Sequence, residues 1–90
     1  MVQVNWSQQA ITNLELIRNY IHQFDPYAAE RFATRLIDAA QSLQDYPERG
    51  RPGTFGKREL VIVRPYIIRY QYDGDSVLII SIRHAAQNRE

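Results

Sequence analysis

The stretch "PYIIRYQYDGDSVLIISI", Pro65 to Ile82, decides the fold. It is two runs of aromatic and β-branched residues separated by Asp73-Gly74-Asp75, the pattern of a β-hairpin. Its one oddity is Arg69, a charge in the middle of an apolar run. A three-residue loop with Gly74 in the left-handed position places Tyr70 opposite Leu78, Ile68 opposite Ile80 and Tyr66 opposite Ile82, all on one apolar face. Ile67, Arg69 and Gln71 then share the opposite face with Val77, Ile79, Ser81 and Arg83. A two-residue loop instead sets Arg69 among Leu78, Ile80 and Ile82, which would bury an unpaired charge. The first register is therefore expected, with Arg69 and Arg83 on the side of the sheet away from the core and His84 at its margin.

Upstream, "RELVIV" is a third β-like run, parted from Tyr66 by Arg64-Pro65. Before it, "PERGRPGTFG" holds two prolines and three glycines, a composition that sustains neither helix nor strand for long. The period changes again towards the N-terminus. Ala10, Leu14, Ile17, Ile21 and Phe24 recur at helical spacing behind Ser7, a candidate N-cap, and Ala29, Phe32, Leu36, Ala40 and Leu43 form a second stripe. Asp25-Pro26 ends one helix and starts the next, since proline disfavours a helical residue before it and suits the first helical position. So short a connection predicts an antiparallel helical hairpin. The expected fold class is α+β: one domain over 1–90, with the helical hairpin at about 7–45, a loop at about 47–56 and a β-meander at about 58–84, and with Val2 to Trp6 available as an added strand.

Ninety residues with 44% hydrophobic content suffice for one small core. With no cysteine, disulfide scaffolds and thiolate zinc sites are excluded. The start "MVQVNWSQQA" has neither a basic leader nor an apolar signal core, and no run suits a membrane span, so a cytoplasmic location without membrane contact is expected. Net charge is only +1, yet residues 1–45 hold three basic and five acidic side chains while residues 46–90 hold eight and five. Arg49, Arg51, Lys57, Arg58, Arg64 and Arg69 crowd into one segment, a patch suited to a polyanion or an acidic protein segment.

Other chemistry-bearing residues have plainer readings. Tyr66, Tyr70 and Tyr72 alternate towards the expected core, with phenolic oxygens reaching an edge, rather than offering a base-stacking surface. Trp6 reads as a staple between the first strand and the first helix. His22 lies off the apolar stripe of its helix, and His84 at a strand end suits a packing or capping role. Neither histidine has an acidic neighbour at metal-ligand spacing, and "RGRPGTFG" lacks Walker spacing, so no metal and no cofactor are expected.

Taken in order, "W", "L..I..YI..FDPYAAERF", "LQDYPERGRP", "G.REL" and "YIIRYQYDGDSVLIISIRHAAQ" resemble the RelE/ParE toxins of bacterial type II toxin–antitoxin systems, and most closely the ParE branch. The resemblance runs from Trp6 to Gln87. It implies a helical hairpin on a small antiparallel sheet and a cognate antitoxin in a hetero-oligomer. ParE-like members are associated with inhibition of DNA gyrase, a binding function linked with plasmid stabilisation. RelE-like members cleave messenger RNA on the ribosome, which without metal requires cations on the phosphate and a proton-transfer group.

Arg58, Arg69, Arg83 and His84 are the candidates for that chemistry. For binding antitoxin or target the candidates are Arg51, Arg58, Arg64, Arg69 and Arg83. Two departures favour the gyrase branch. The place after Tyr66, often arginine in RelE-like strands, holds Ile67, with Arg69 about 7 Å further along. No aromatic residue follows His84 in "HAAQNRE". A degenerate toxin that only binds antitoxin is the third alternative.

Overall fold

The computed structural model of the chain describes residues 1–86; Gln87, the last residue of the stretch carrying the family resemblance, lies outside them. Strand β1 (Gln3–Trp6) leads into helix α1 (Gln8–His22) and helix α2 (Pro26–Gln41), which a short 3-10 turn, Ser42–Gln44, extends. Four strands follow: β2 (Arg51–Pro52), β3 (Arg58–Leu60), β4 (Tyr66–Tyr72) and β5 (Ser76–His84). They form one sheet in the order β1-β5-β4-β3-β2.

The local signals work as expected at the helices. Ser7 Oγ accepts the Ala10 N–H at 3.0 Å. Asp25 Oδ1 accepts from Tyr27 and Ala28 at 3.1 Å each, with Pro26 in the first helical position. Each acceptor satisfies amides that a helix start leaves unpaired. Leu36, Ala40 and Leu43 on the α2 side and Ala10 on α1 pack against Leu60, Ile68, Tyr70, Val77, Ile79 and Ile82 of the sheet. Phe24 departs from the expected stripe. It lies beyond the end of α1, 73% exposed, with its ring edge-on to Tyr20 at 5.4 Å.

The sheet corrects two expectations. It is mixed, because β1 pairs parallel to β5 while the other pairings are antiparallel. The β4–β5 hairpin also adopts neither uninterrupted register. Tyr72 lies opposite Val77 and Tyr70 opposite Ile79, the alignment of the shorter loop, and Asp73 Oδ1 accepts the N–H groups of Asp75 and Ser76 to close it. A shift between Arg69 and Tyr70 then leaves Ile80 unpaired, so that Arg69 meets Ser81 and Ile68 meets Ile82.

This bulge settles the conflict that the sequence poses. Val77 and Ile79 face the core before it, in place of the expected Leu78 and Ile80, and Ile82 faces the core after it. Helix α1 holds the irregular edge: Ser7 Oγ donates to Ile80 O at 2.8 Å and Asn13 Oδ1 accepts the Ile82 N–H at 3.0 Å. Arg69 keeps the expected side, since Ile68 and Tyr70 on either side of it point to the helices.

The run "RELVIV" is likewise strand only as far as Leu60. Beyond it the chain turns, and Tyr66 N–H returns to Val63 O at 2.8 Å, with Val63 buried and Ile62 exposed.

Candidate functional site

The outer face of the sheet, which carries no helix, is crossed by one row of polar side chains. Register sets Arg51 opposite Glu59, Glu59 opposite Arg69 and Arg69 opposite Ser81. Arg83, one step along β5, pairs with Ile67 and so shares the face. Glu59 binds cations from two sides: Arg51 donates to Oε1 at 3.1 Å, and Arg83 Nη2 lies 3.5 Å from Oε2. Arg69 forms no ion pair among the described residues, although it is Glu59's direct cross-strand neighbour. Among the described residues, three guanidinium groups against one carboxylate leave this face cationic, and Arg69 is the charge that Glu59 does not engage.

Arg58 is directed elsewhere. It pairs in register with Tyr70 and so stands on the helix side of the sheet. Its Nη1 donates to Gly50 O at 2.8 Å and Glu48 O at 3.1 Å. The Tyr70 hydroxyl works on the same segment, donating to Pro47 O at 2.8 Å and accepting the Gly50 N–H at 2.9 Å. Burial raises the Tyr70 phenol above its ordinary pKa, against opposing contributions from the Gly50 bond and from Arg58 and Arg49. Together these bonds fasten the loop carrying Arg49 and Arg51 to the sheet. Gly50 is required there, because a Cβ would come within 2.7 Å of the Tyr70 ring and hydroxyl.

Arg64 is exposed on the segment between β3 and β4, where with Arg51 it lines a shallow depression of about 270 Å³ beside Ile67. His84 pairs in register with Tyr66 at the ends of β4 and β5 and so stands on the helix side of the sheet, its ring edge-on to Tyr66 at 5.6 Å and its Nδ1 accepting the Ala86 N–H at 3.0 Å. Burial, with a smaller contribution from Tyr20, raises the Tyr66 phenol. Between this strand end and α1 runs a groove of about 400 Å³, with Leu16, Ile17, Tyr20 and Tyr66 as apolar walls and Arg83 and His84 at one end. Leu16 and Tyr20 are largely exposed.

The structure thus brings Arg51, Arg69 and Arg83 onto one face and sets Arg58 on the other. Two members of the site are absent from the sequence reading: Glu59, and the exposed side of α1 at Leu16 and Tyr20. Glu59 was legible in principle, since adjacent strand residues face opposite sides and Arg58 and Glu59 cannot both join Arg69. No group of three or more His, Cys, Asp or Glu side chains suited to a metal occurs among the described residues.

A helical hairpin on a five-stranded mixed sheet, with an arginine row on the uncovered face, makes this a small α+β protein with a charged binding surface. Residues 4–89 match the family of ParE toxins of type II toxin–antitoxin systems, parDE, and the chain belongs to that family. It is 54% identical over 87 residues to Toxin RelE2 of Caulobacter vibrioides, covering 97% of this chain and 99% of that one. Putative toxin Y4kP of Sinorhizobium fredii is 41% identical over 86 residues, covering 93% and 88%. Among solved structures, a chain of the chromosomal ParDE TA system from P. aeruginosa superposes with a TM-score of 0.83 at 22% identity, over 93% of this chain and 96% of that one, a likeness of fold. The chain is a type II toxin of the ParE/RelE kind, and membership implies a cognate antitoxin. No helix among the described residues is long and apolar enough to cross a membrane.

Proposed function

We propose that this toxin acts in the cytoplasm by binding and inhibiting DNA gyrase, and that a cognate antitoxin neutralises it by covering the arginine face. The observation that carries the reading is the separation of the groups an RNA-cleaving site would need together. Arg58 faces the helices and is bonded to loop carbonyls, while Arg69 and Arg83 face away. The place after Tyr66 is filled by Ile67, only 7% exposed. His84 Nδ1 is engaged by the Ala86 amide. A protein-binding function asks only for a charged, shaped surface, which Arg51, Arg69, Arg83 and the adjoining groove provide. An antitoxin segment with acidic groups over the arginines and apolar anchors in the groove matches both features.

Ribosome-dependent cleavage of messenger RNA is the second reading, favoured by the shared face of Arg69 and Arg83. The two are separated by expressing the toxin without antitoxin and following DNA damage and translation in the same culture. Gyrase inhibition gives filamentous cells, a DNA-damage response and intact messenger. Cleavage gives truncated messenger first, and a degenerate chain that only binds antitoxin gives neither.

A further inference from the structure

Phe55 stands where local physics argues against it. Strands β2 and β3 are joined through Gly53 to Lys57, with the Gly53 N–H donating to Lys57 O at 2.7 Å and the Lys57 N–H to Thr54 O at 3.1 Å. Within this connection Phe55 (φ 56, ψ 36) and Gly56 (φ 73) are successive left-handed residues, the geometry of a type I′ turn. Such turns favour Asn-Gly, because asparagine tolerates the left-handed region and a large β-carbon-bearing side chain does not. Phenylalanine occupies the asparagine place, and no burial offsets it. Phe55 is 88% exposed, more than any other aromatic residue among those described. A backbone outlier carrying an uncovered aromatic ring at a hairpin tip is the sort of local conflict that function leaves in a sequence.

The surroundings indicate what the ring meets. Stacking on single-stranded nucleic acid calls for cations that track a phosphate backbone beside the aromatic group. Here Arg51 is engaged by Glu59, Arg58 by the carbonyls of Glu48 and Gly50, and Lys57 Nζ lies 3.4 Å from Phe55 O. Pro52, Gly53, Thr54 and Gly56 around the tip are small and uncharged, which suits insertion into an apolar pocket on a protein, where aromatic anchors contribute most.

The tip also lies apart from the groove. Arg58 pairs with Tyr70, so the Gly53–Lys57 connection is at the Tyr70–Tyr72 end of β4, whereas the groove is at the Tyr66 and His84 end. An antitoxin anchored in the groove leaves the tip, at the opposite end of β4, for a second partner. We propose that Phe55 is the anchor by which this toxin enters an apolar pocket on its protein target. The proposal rests on the reading that the target is engaged as a protein.

The test compares the full-length wild-type toxin with Phe55→Asn and Phe55→Trp. Asparagine suits the turn, so F55N is expected to fold with an equal or higher melting temperature. It should reduce growth arrest in cells lacking antitoxin by at least about tenfold, as expected of an interface anchor, with antitoxin affinity within about twofold of wild type. F55W should retain arrest. Full arrest by F55N overturns the proposal, and a tenfold loss of antitoxin affinity assigns the anchor to the antitoxin instead. Ultraviolet cross-linking of a photoreactive group at position 55 to RNA rather than protein overturns it in favour of base stacking. A wild-type chain that arrests nothing overturns it too, because a target anchor then has no target. If F55N loses arrest while wild-type toxin leaves purified gyrase unaffected, the gyrase reading fails and the anchor stands; full arrest by F55N with gyrase inhibited gives the reverse.

Discussion

Tyr70→Phe removes one oxygen that joins the sheet to the arginine-bearing loop. The hydroxyl accepts the buried Gly50 N–H and donates to Pro47 O, and the ring beneath it is wholly buried. Phenylalanine keeps the ring, so packing changes little. The Gly50 amide loses its partner in a buried position, at a cost of about 1–3 kcal/mol. Pro47 is half-buried and its carbonyl can take water, so its share is about 0–1 kcal/mol. The expected loss is therefore about 1–4 kcal/mol, a large fraction of the stability of a domain this size. Urea unfolding followed by tyrosine and tryptophan fluorescence measures it through the midpoint at constant slope. A loss below about 0.5 kcal/mol would refute the argument that this hydroxyl fastens the loop. Gly50→Ala approaches the same contact from the other side, since its Cβ would lie 2.7 Å from the Tyr70 ring carbon and hydroxyl and 3.0 Å from Glu59 O. A loss of similar or larger size is expected there.

Leu36→Ala, at a fully buried position between helix and sheet, should cost about 2–5 kcal/mol in the same assay through the cavity it opens. Arg69→Ala on the outer face should cost less than about 0.5 kcal/mol, and equal losses would show Arg69 to be a structural charge. Charge reversal at Arg51, Arg69 and Arg83 together should weaken antitoxin binding by at least about tenfold at low salt, and less as salt is raised; calorimetric affinities unchanged by the triple variant would remove the arginine face from the interface. Stability should also fall in alkali. The folded-state pKa values of Tyr66 and Tyr70 lie above the ordinary 10.0 because burial disfavours the phenolates, so their contribution is whole below pH 10.0 and is lost as pH rises through the folded values. Unfolding midpoints measured across this range should decline less steeply in Tyr70→Phe.

What the sequence discloses, and what it conceals, follows from how local each signal is. The helices are legible because their stripes, the Ser7 and Asp25 caps and Pro26 all act within a turn of the residues they govern. The hairpin register is not, because "VLIISI" is apolar on both faces and alternation alone cannot locate a one-residue bulge. The contacts that hold the bulge at Ile80 come from Ser7 and Asn13, about seventy positions away in the chain. The side of Arg69 is nevertheless legible, since both neighbouring tyrosines and Ile68 compete for the core. The arginine set is only half legible. Arg69 and Arg83 meet on one face as alternation predicts, whereas the face of Arg58 depends on the β3–β4 register, which the turn after Leu60 sets. Phe55 left a signal in "TFG", a large residue before glycine at a hairpin tip, but its left-handed backbone becomes evident only once β2 and β3 are paired.

The most direct test of the central claim uses purified components. Wild-type toxin, freed of antitoxin, is added to DNA gyrase, ATP and relaxed plasmid with no ribosomes present, and a matched sample is added to translating ribosomes whose messenger ends are mapped. Binding without a chemical step on RNA predicts loss of supercoiling or trapped cleaved DNA, together with intact messenger. Normal supercoiling with codon-phased cuts in ribosome-bound messenger, reduced at least about 100-fold by Arg69→Ala, Arg83→Ala or His84→Ala, would contradict the claim and make Arg69 a phosphate clamp.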